Sequence, residues 1–459
     1  MRNARAIGLS VLLGLLSWAI VGRGLVNYDT LYALVWGRDL AHGRSPDLTV
    51  PLAPTQHPLA NAVGVLFSPL GDGATTAALL LAFLSLGALG WVVYRLGAEW
   101  FNPAAGVLAA AIVLTRRPVL DFGARAYVDI PYLVLVLAAL LIETRRRRAG
   151  APVLALLAVA GLLRPEAWLL TGAYLAWLWI GGQRDLRLLA IAAAGPLLWC
   201  LSDLVLTGDP LHSLLGTRET TAELARVTGL QNVPLTMPRR LGEILREPVL
   251  VGAAGGGVLA LWLLRRRAAL GAVTGGVAVG AFCVLATAGL PILGRYLLLP
   301  AAILAVFCGA GAFGWAELPR GHPWRRRWAI FGAFVGVLMV AFAPGQASRI
   351  GKLGDALARQ DQIQRDLHAL TPAMRCAPVA VPNHRPVPLL ALWLDRPAQD
   401  VVVAQDAHLT RGTYVAPANK AVAKDYVLDP RDTDQRIPPP PTGFRPLAAN
   451  RSWRVAARC

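Results

Sequence analysis

From residue 6 to residue 343 the chain is a succession of apolar runs separated by short charged loops. A bilayer core of ~30 Å takes about 20 apolar residues to cross as a helix, and several runs reach or approach that length. Only closed helical bundles or barrels satisfy their backbone groups in lipid, so these runs predict a bundle of membrane helices. Composition agrees. Of the 459 residues 55% are hydrophobic and 16% charged, against about 25% charged in an ordinary soluble domain, and mean hydropathy is +0.50. A soluble enzyme, a disordered chain and a disulfide scaffold are excluded.

Eleven spans are expected, near 6–22, 75–94, 103–115, 130–143, 151–163, 167–181, 188–207, 248–264, 268–288, 296–314 and 328–343. The third, fifth and sixth are short enough to be tilted or re-entrant. The first run lacks a small-residue cleavage site and is read as a span, not a removable signal. Orientation follows from basic residues, which are retained on the cytoplasmic side. With the N-terminus inside, the inner loops hold sixteen Arg, including Arg145 to Arg148 and Arg265 to Arg267, against Glu99, Glu143, Asp185 and Glu317. The outer loops up to residue 344 are balanced, and the tail adds +6. Two thirds of the net charge of +18 is therefore an orientation signal, and nucleic acid is not an expected partner. An odd span count puts the tail outside the cell membrane.

The expected architecture is mainly α: a polytopic domain over 1–344 and a small extracytoplasmic α/β domain over 345–459. Residues 350–370 have helical apolar spacing. After them come the short runs PVAVP, DVVVAQ, TYVAP and DYVLDP, then FRPLAAN and SWRVAARC, which read as a hairpin. Cys376 and Cys459 are the two cysteines of this segment. An oxidising exterior makes them the candidate disulfide, with two free thiols as the alternative. Cys200, Cys283 and Cys308 lie inside spans as ordinary packing.

Ionisable groups at span ends are costly and therefore candidates for function. Asp29 follows span one, ahead of an amphipathic helix over 30–42 expected on the membrane surface. A helix N-cap is the structural alternative for Asp29. His57 precedes Pro58 in QHPLAN, where a solvated loop histidine is the plainer reading. Asp129 opens span four with Arg125 and Tyr127 before it and Pro131 in the first turn; it is read as a second carboxylate facing Asp29 across an outward cavity, or as a cap. In GLLRPEAW, Arg164 and Glu166 either line a cavity or pair with each other. Arg295 and Tyr296 open span ten without an adjacent acid. Such an Arg suits a phosphate, and an interfacial anchor is the alternative. Asp209 and His212 in TGDPLHSLL read as turn structure. The runs GAAGGGV and GAVTGG lie in spans and read as close helix packing.

In this order, these pieces resemble the polyprenyl-phosphate-sugar-dependent GT-C glycosyltransferases, which include protein O-mannosyltransferases, aminoarabinose transferases and actinobacterial mannosyl- and arabinosyltransferases. The likeness runs over residues 1–344: Asp29 after span one, a surface helix, QHPLAN, Asp129 to Pro131, Arg-Pro-Glu and Arg-Tyr. The resemblance implies that Asp29 is the base activating the acceptor hydroxyl and that Asp129 helps bind acceptor or metal. A divalent metal, where one is used, would fall to Asp29 and Asp129. Arg295 and His57 would hold the lipid phosphate, with Arg125, Arg164, Glu166 and Tyr296 around the substrate. The implied partners are a polyprenyl-phosphate sugar, membrane lipids and a cell-envelope glycan, lipid or protein acceptor. Two departures stand out: Asp29 is followed by Thr30 and not a second acid, and His57 stands where aminoarabinose-transferase-like members carry Lys. The competing classes are a transporter or flippase, which would show internal repeats and broken helices, and a non-enzymatic assembly protein.

Overall fold

A computed structural model describes residues 2–407, 409–429 and 434–459. Its helices are α1 (Arg2–Val21), α2 (Tyr28–Ala41), α3 (Pro58–Phe67), α4 (Gly73–Trp100), α5 (Pro103–Thr115), α6 (Arg117–Ala124), α7 (Asp129–Arg145), α8 (Ala151–Gly161) and α9 (Glu166–Ile180). They continue as α10 (Leu186–Thr207), α11 (His212–Glu223), α12 (Val233–Leu245), α13 (Glu247–Leu263), α14 (Arg265–Thr287), α15 (Leu298–Phe313), α16 (Pro323–His368) and α17 (Val387–Trp393). Every expected span falls on one of them. Six helices among the described residues are long and apolar enough to cross a bilayer, or eight if each of two bent pairs is one span. The bent pairs are α5 with α6, at 62°, and the segment ending in α12 with α13, at 108°. The remaining expected spans are α7, α8 and α9, of 17, 11 and 15 residues. At ~1.5 Å per residue, α8 is the one far too short to cross unaided.

The chain divides into two compact units. The first comprises residues 1–22, 80–200 and 227–354. Its tightest helix pair is α13 against α15. The glycines of GAAGGGV make that approach possible: a Cβ at Gly256 would strike the backbone of Phe307 and Gly311 across the pair. Close backbone contact of this kind replaces the hydrophobic driving force that lipid removes. The turn after α7 is anchored by buried Glu143, which accepts hydrogen bonds from Arg148 N (2.8 Å), Ala149 N (3.2 Å) and Tyr174 Oη (2.7 Å). That acid is fully used in shaping a loop.

The second unit comprises residues 23–79, 201–226 and 355–459. Its sheet has β1 (Val379–Val381), β2 (Val401–Val403), β3 (Gly412–Pro417), β4 (Arg445–Ala449) and β5 (Trp453–Arg458), in the order β2-β1-β3-β5-β4. β1 pairs in parallel with β2 and β3, while β5 runs antiparallel to β3 and β4. FRPLAAN and SWRVAARC thus form the expected hairpin. β4 is its exposed edge, carrying Pro446 and a register shift, as edge strands do to discourage further pairing. DYVLDP supplies no strand: Ala423–Val427 is a wide helical turn, and Pro430 lies outside the described residues. Cys376 and Cys459 are joined in a disulfide with Cα atoms 5.5 Å apart.

Helix α2 corrects one expectation. It does not present one apolar face to a membrane surface, because Leu31 to Asp39 are all buried. Leu31, Tyr32, Val35 and Trp36 share a core with Val379, Leu390, Val401, Val415 and Trp453. YDTLYALVWGRDLA has apolar residues all round, and such a helix is buried, not amphipathic. Its one strongly charged stretch is neutralised inside the unit. Arg38 donates to Ala391 O (2.8 Å) and Arg396 O (2.6 Å), and Asp39 pairs with Arg38 (3.1 Å) and Arg44 (2.9 Å). Gly37 and Gly64 let α2 and α3 touch backbone to backbone. The expected span 328–343 and helix 350–370 also prove to be one 46-residue helix, α16, with Pro344 inside it. Its end closes the sheet: Trp453 Nε1 donates to Ile363 O at 2.8 Å.

Candidate functional site

Three sequence candidates converge in the first unit through helix ends. Short connections make α7, α8 and α9 packed neighbours, which puts the start of α7, the end of α8 and the start of α9 together. Asp129 and Glu166 are each in the first turn of a helix, where the dipole favours a carboxylate. Val128, not Asp129, is the N-cap of α7, so the capping alternative for Asp129 does not hold. Arg164 lies between the two acids. Its Nη1 donates to Asp129 Oδ1, while Nε (3.1 Å) and Nη2 (2.6 Å) both donate to Glu166 Oε1. The three side chains are 5%, 1% and 9% exposed for Arg164, Asp129 and Glu166. The Arg164–Glu166 pair expected as one alternative therefore exists, and Asp129 belongs to it.

Tyr296 closes this group. Its ring lies 4.5 Å from the Arg164 guanidinium and 5.9 Å from that of Arg295, two cation–π contacts to one ring. Tyr132 of α7 adds a second ring, 5.9 Å from Arg164. Arg295 and Tyr296 stand on a single 3-10 turn, Gly294–Leu297, ahead of α15, and both are partly exposed. Arg164 thus meets both carboxylates and the tyrosine ring, and the ring in turn neighbours Arg295, which is partly exposed. Arg125 pairs with Asp121 one turn earlier on its own helix, at 2.7 Å, a local i,i+4 bridge worth little in stability.

Asp29 and His57 belong to the second unit. Asn27 is the N-cap of α2, accepting from Thr30 N at 3.1 Å. Asp29 is therefore not the cap: it is the acid in the first turn, partly exposed. Tyr28 beside it packs edge-on against Tyr32 (4.9 Å) and His384 (5.3 Å). His57 is the N-cap of α3 ahead of Pro58, with the extended backbone (φ −123°, ψ 105°) that a residue before proline adopts. Asp209 does begin a turn, accepting from Leu211 N at 2.9 Å, and His212 starts α11.

One group was overlooked in the sequence. Asp203, inside the apolar run of α10, is 1% exposed. It accepts from Gln56 Nε2 (2.5 Å), Ser213 N (3.0 Å) and Ser213 Oγ (2.7 Å). Gln56 in turn accepts from Asn61 Nδ2 at 3.0 Å. The residue just before His57 is thereby tied to a buried carboxylate more than a hundred positions away. An acid within LLWCLSDLVLT was the available signal, since intramembrane acids are rarely idle.

Among the described residues no group of three or more His, Cys, Asp and Glu is arranged to hold a metal ion. Asp129, one of the two carboxylates expected to share a metal, is already engaged by Arg164. The donor set does not fit the metal that the sequence allowed for, and no step is assigned to one.

The fold and its apolar helices define a multi-pass membrane protein with a small α/β unit. No family model matches the sequence, and no curated protein matches it. Among solved structures the chain is similar to the crystal structure of ArnT from Cupriavidus metallidurans bound to undecaprenyl phosphate. That likeness covers 99% of this chain and 97% of that one, with 14% identity and a TM-score of 0.62. It is a likeness of fold, and at that level the mainly helical, polytopic architecture with a small C-terminal sheet expected from the sequence is borne out.

Proposed function

We propose that the chain is an integral-membrane glycosyltransferase that moves a sugar from a polyprenyl-phosphate donor to an extracytoplasmic acceptor with inversion. The observation that carries this reading is the match of fold, over nearly the whole of both chains, to a protein solved with undecaprenyl phosphate bound. In this reading Asp29 is the base. It takes the proton of the acceptor hydroxyl as that oxygen forms a bond to the anomeric carbon. The bond from that carbon to the phosphate oxygen breaks on the opposite face, and polyprenyl phosphate leaves with the electron pair. Arg295 and His57 hold the departing phosphate, where fixed cations act most strongly in a partly dry site. Arg164, gripping Asp129 and Glu166 under Tyr296, holds the turn that carries Arg295, with Arg125 at the rim.

The sugar is of the mannose or arabinose class, and the acceptor is a cell-envelope glycan, lipid or protein. The protein sits in the plasma membrane with residues 1–344 as its catalytic part. Its N-terminus is cytoplasmic and residues 345–459 are extracytoplasmic. One observation favours a second reading, a flippase of lipid-linked intermediates: the two bent helix pairs are a feature of transporters. Release of free polyprenyl phosphate from synthetic donors by the purified full chain distinguishes the two. The enzyme reading expects donor turnover that depends on an added hydroxyl acceptor. Movement of intact donor across a vesicle bilayer without turnover would replace it with the flippase.

A further inference from the structure

Both helix breaks in the first unit occur at an arginine. Arg116 separates α5 from α6, and Arg246 separates α12 from α13. A break in an apolar segment exposes backbone groups that lipid cannot satisfy, and here other elements serve them. Arg116 Nη1 donates to Leu245 O at 3.1 Å, and Gln346 Nε2 of α16 donates to Thr115 O at 2.6 Å. The two breaks and α16 therefore meet at one junction. At Arg246 the backbone is left-handed, with φ 69°, a conformation that residues with side chains seldom adopt and that gathers at functional positions.

The junction collects charge of one sign. Arg246 directly follows Leu245, whose carbonyl Arg116 holds, and Arg349 of α16 stands about one turn beyond Gln346, which holds the carbonyl of Thr115 beside Arg116. Among the described residues the acid paired with these three is Glu247, 3.1 Å from Arg246 with its own side chain 58% exposed. The Nε atoms of Arg116 and Arg246 are buried without a hydrogen-bond partner among the described residues. Beside Arg116 lies a small cavity walled by Val119, Leu133, Leu245 and Leu298. Three arginines offset by one exposed acid leave a surplus of positive charge at the margin of an apolar body, which is unfavourable unless an anion joins them, and guanidinium groups match phosphate oxygens in geometry and charge.

We propose that Arg116, Arg246 and Arg349 bind the phosphate of an anionic membrane phospholipid. The site does not depend on glycosyl transfer, and none of its residues is assigned to the donor. Loop charge places Arg116, Arg246 and Arg349 alike on the outer side of the membrane, so the lipid comes from the outer leaflet.

Binding of a fluorescent phosphatidylglycerol to the purified full chain in neutral detergent tests this. Saturable binding is expected, displaced by unlabelled phosphatidylglycerol and not by phosphatidylcholine. Each basic residue near anionic lipid contributes about a five-fold gain in affinity, so Arg349→Gln and Arg246→Gln each weaken binding about five-fold, and together about 25-fold. Arg349 makes no hydrogen bond or ion pair among the described residues, so Arg349→Gln should melt with the wild type and isolates binding from folding. Arg239→Gln, which alters an exposed pair with Glu243 on α12, should bind as the wild type. Unchanged affinity in the Arg246 and Arg349 variants would overturn the proposal. So would displacement by inorganic phosphate, or by polyprenyl phosphate at concentrations where unlabelled phosphatidylglycerol fails.

Discussion

Replacing Arg164 by Met removes the one guanidinium between two buried carboxylates while keeping a side chain of similar reach. Asp129 loses its bond to Nη1 and Glu166 loses those to Nε and Nη2. With the three side chains at most 9% exposed, water cannot take over these bonds without local opening. Removing one partner of a buried pair costs about 3–5 kcal/mol, chiefly because the opposite charge is stranded. Here two are stranded, and Tyr296 also loses the cation beneath its ring, so the upper end of that range is expected. The triple variant Arg164→Met, Asp129→Asn, Glu166→Gln removes every charge of the group together. Neutral replacement of a whole buried ionic group is often close to neutral in stability, so the triple should recover to within about 2 kcal/mol of wild type. Denaturant unfolding in mixed micelles, followed by tryptophan fluorescence, measures both, since Trp168 lies one turn away from Arg164. A loss below about 1 kcal/mol in the single variant, or a triple no more stable than the single, would refute the account of this group as a desolvated, mutually dependent ion triad.

Asp203→Asn turns one acceptor of the Gln56–Ser213 network into a donor and leaves a buried N–H facing it. A loss of about 1–3 kcal/mol is expected, with faster amide exchange at Gln56 and His57; unaltered exchange there would contradict the link to the QHP segment. Cutting the Cys376–Cys459 disulfide, which closes a separation of 83 residues, should cost about 2–4 kcal/mol, read as a lower melting temperature of the full chain under reductant. Burial pushes the Tyr414 hydroxyl, hydrogen-bonded to Pro438 O, from 10.0 up to about 12. Its contribution to stability is full below pH 10 and is lost as pH climbs through about 12, and Tyr414→Phe should flatten alkaline unfolding in that window. Burial opposes ionisation of Asp366, but hydrogen bonds from Ser452 and Gln362 and the charge of Arg451 hold its carboxyl below the ordinary value. It therefore stabilises the unit above the normal carboxylate range and loses that effect as pH falls, which Asp366→Asn should remove from an acid titration of melting temperature.

The membrane helices were legible because a span is a local property: an apolar run is helical in lipid whatever it packs against. The hairpin of β4 and β5 was legible for the same reason, since its turn and alternation lie within fifteen residues. What escaped depends on partners distant in sequence. Helix α2 was expected to lie on the membrane surface, but its charged residues Arg38 and Asp39 have partners that include Ala391, Arg396 and Arg44, which no local pattern reveals. The parallel pairing of β1 with β2 and β3 requires crossovers whose order no local pattern encodes. In the candidate site, Arg164 with Glu166 could be read from adjacency. The junction of the two helix breaks could not, because Arg116 and Arg246 sit at charged loop ends that resemble any other. Asp203 stood out as an acid in an apolar run, but its partners Gln56 and Ser213 could not be read from the sequence around it.

Sugar release from a polyprenyl-phosphate donor at saturating donor, comparing wild type with Asp29→Asn, bears most directly on the proposed chemistry. Positioned general-base catalysis contributes about 10²–10⁴-fold, so the variant should turn over slower by that factor with little change in KM for the donor. Arg295→Gln should instead raise KM for the donor as well as lower kcat, because it removes a contact to the phosphate itself. Wild-type turnover by Asp29→Asn would contradict the assignment of Asp29 as the base.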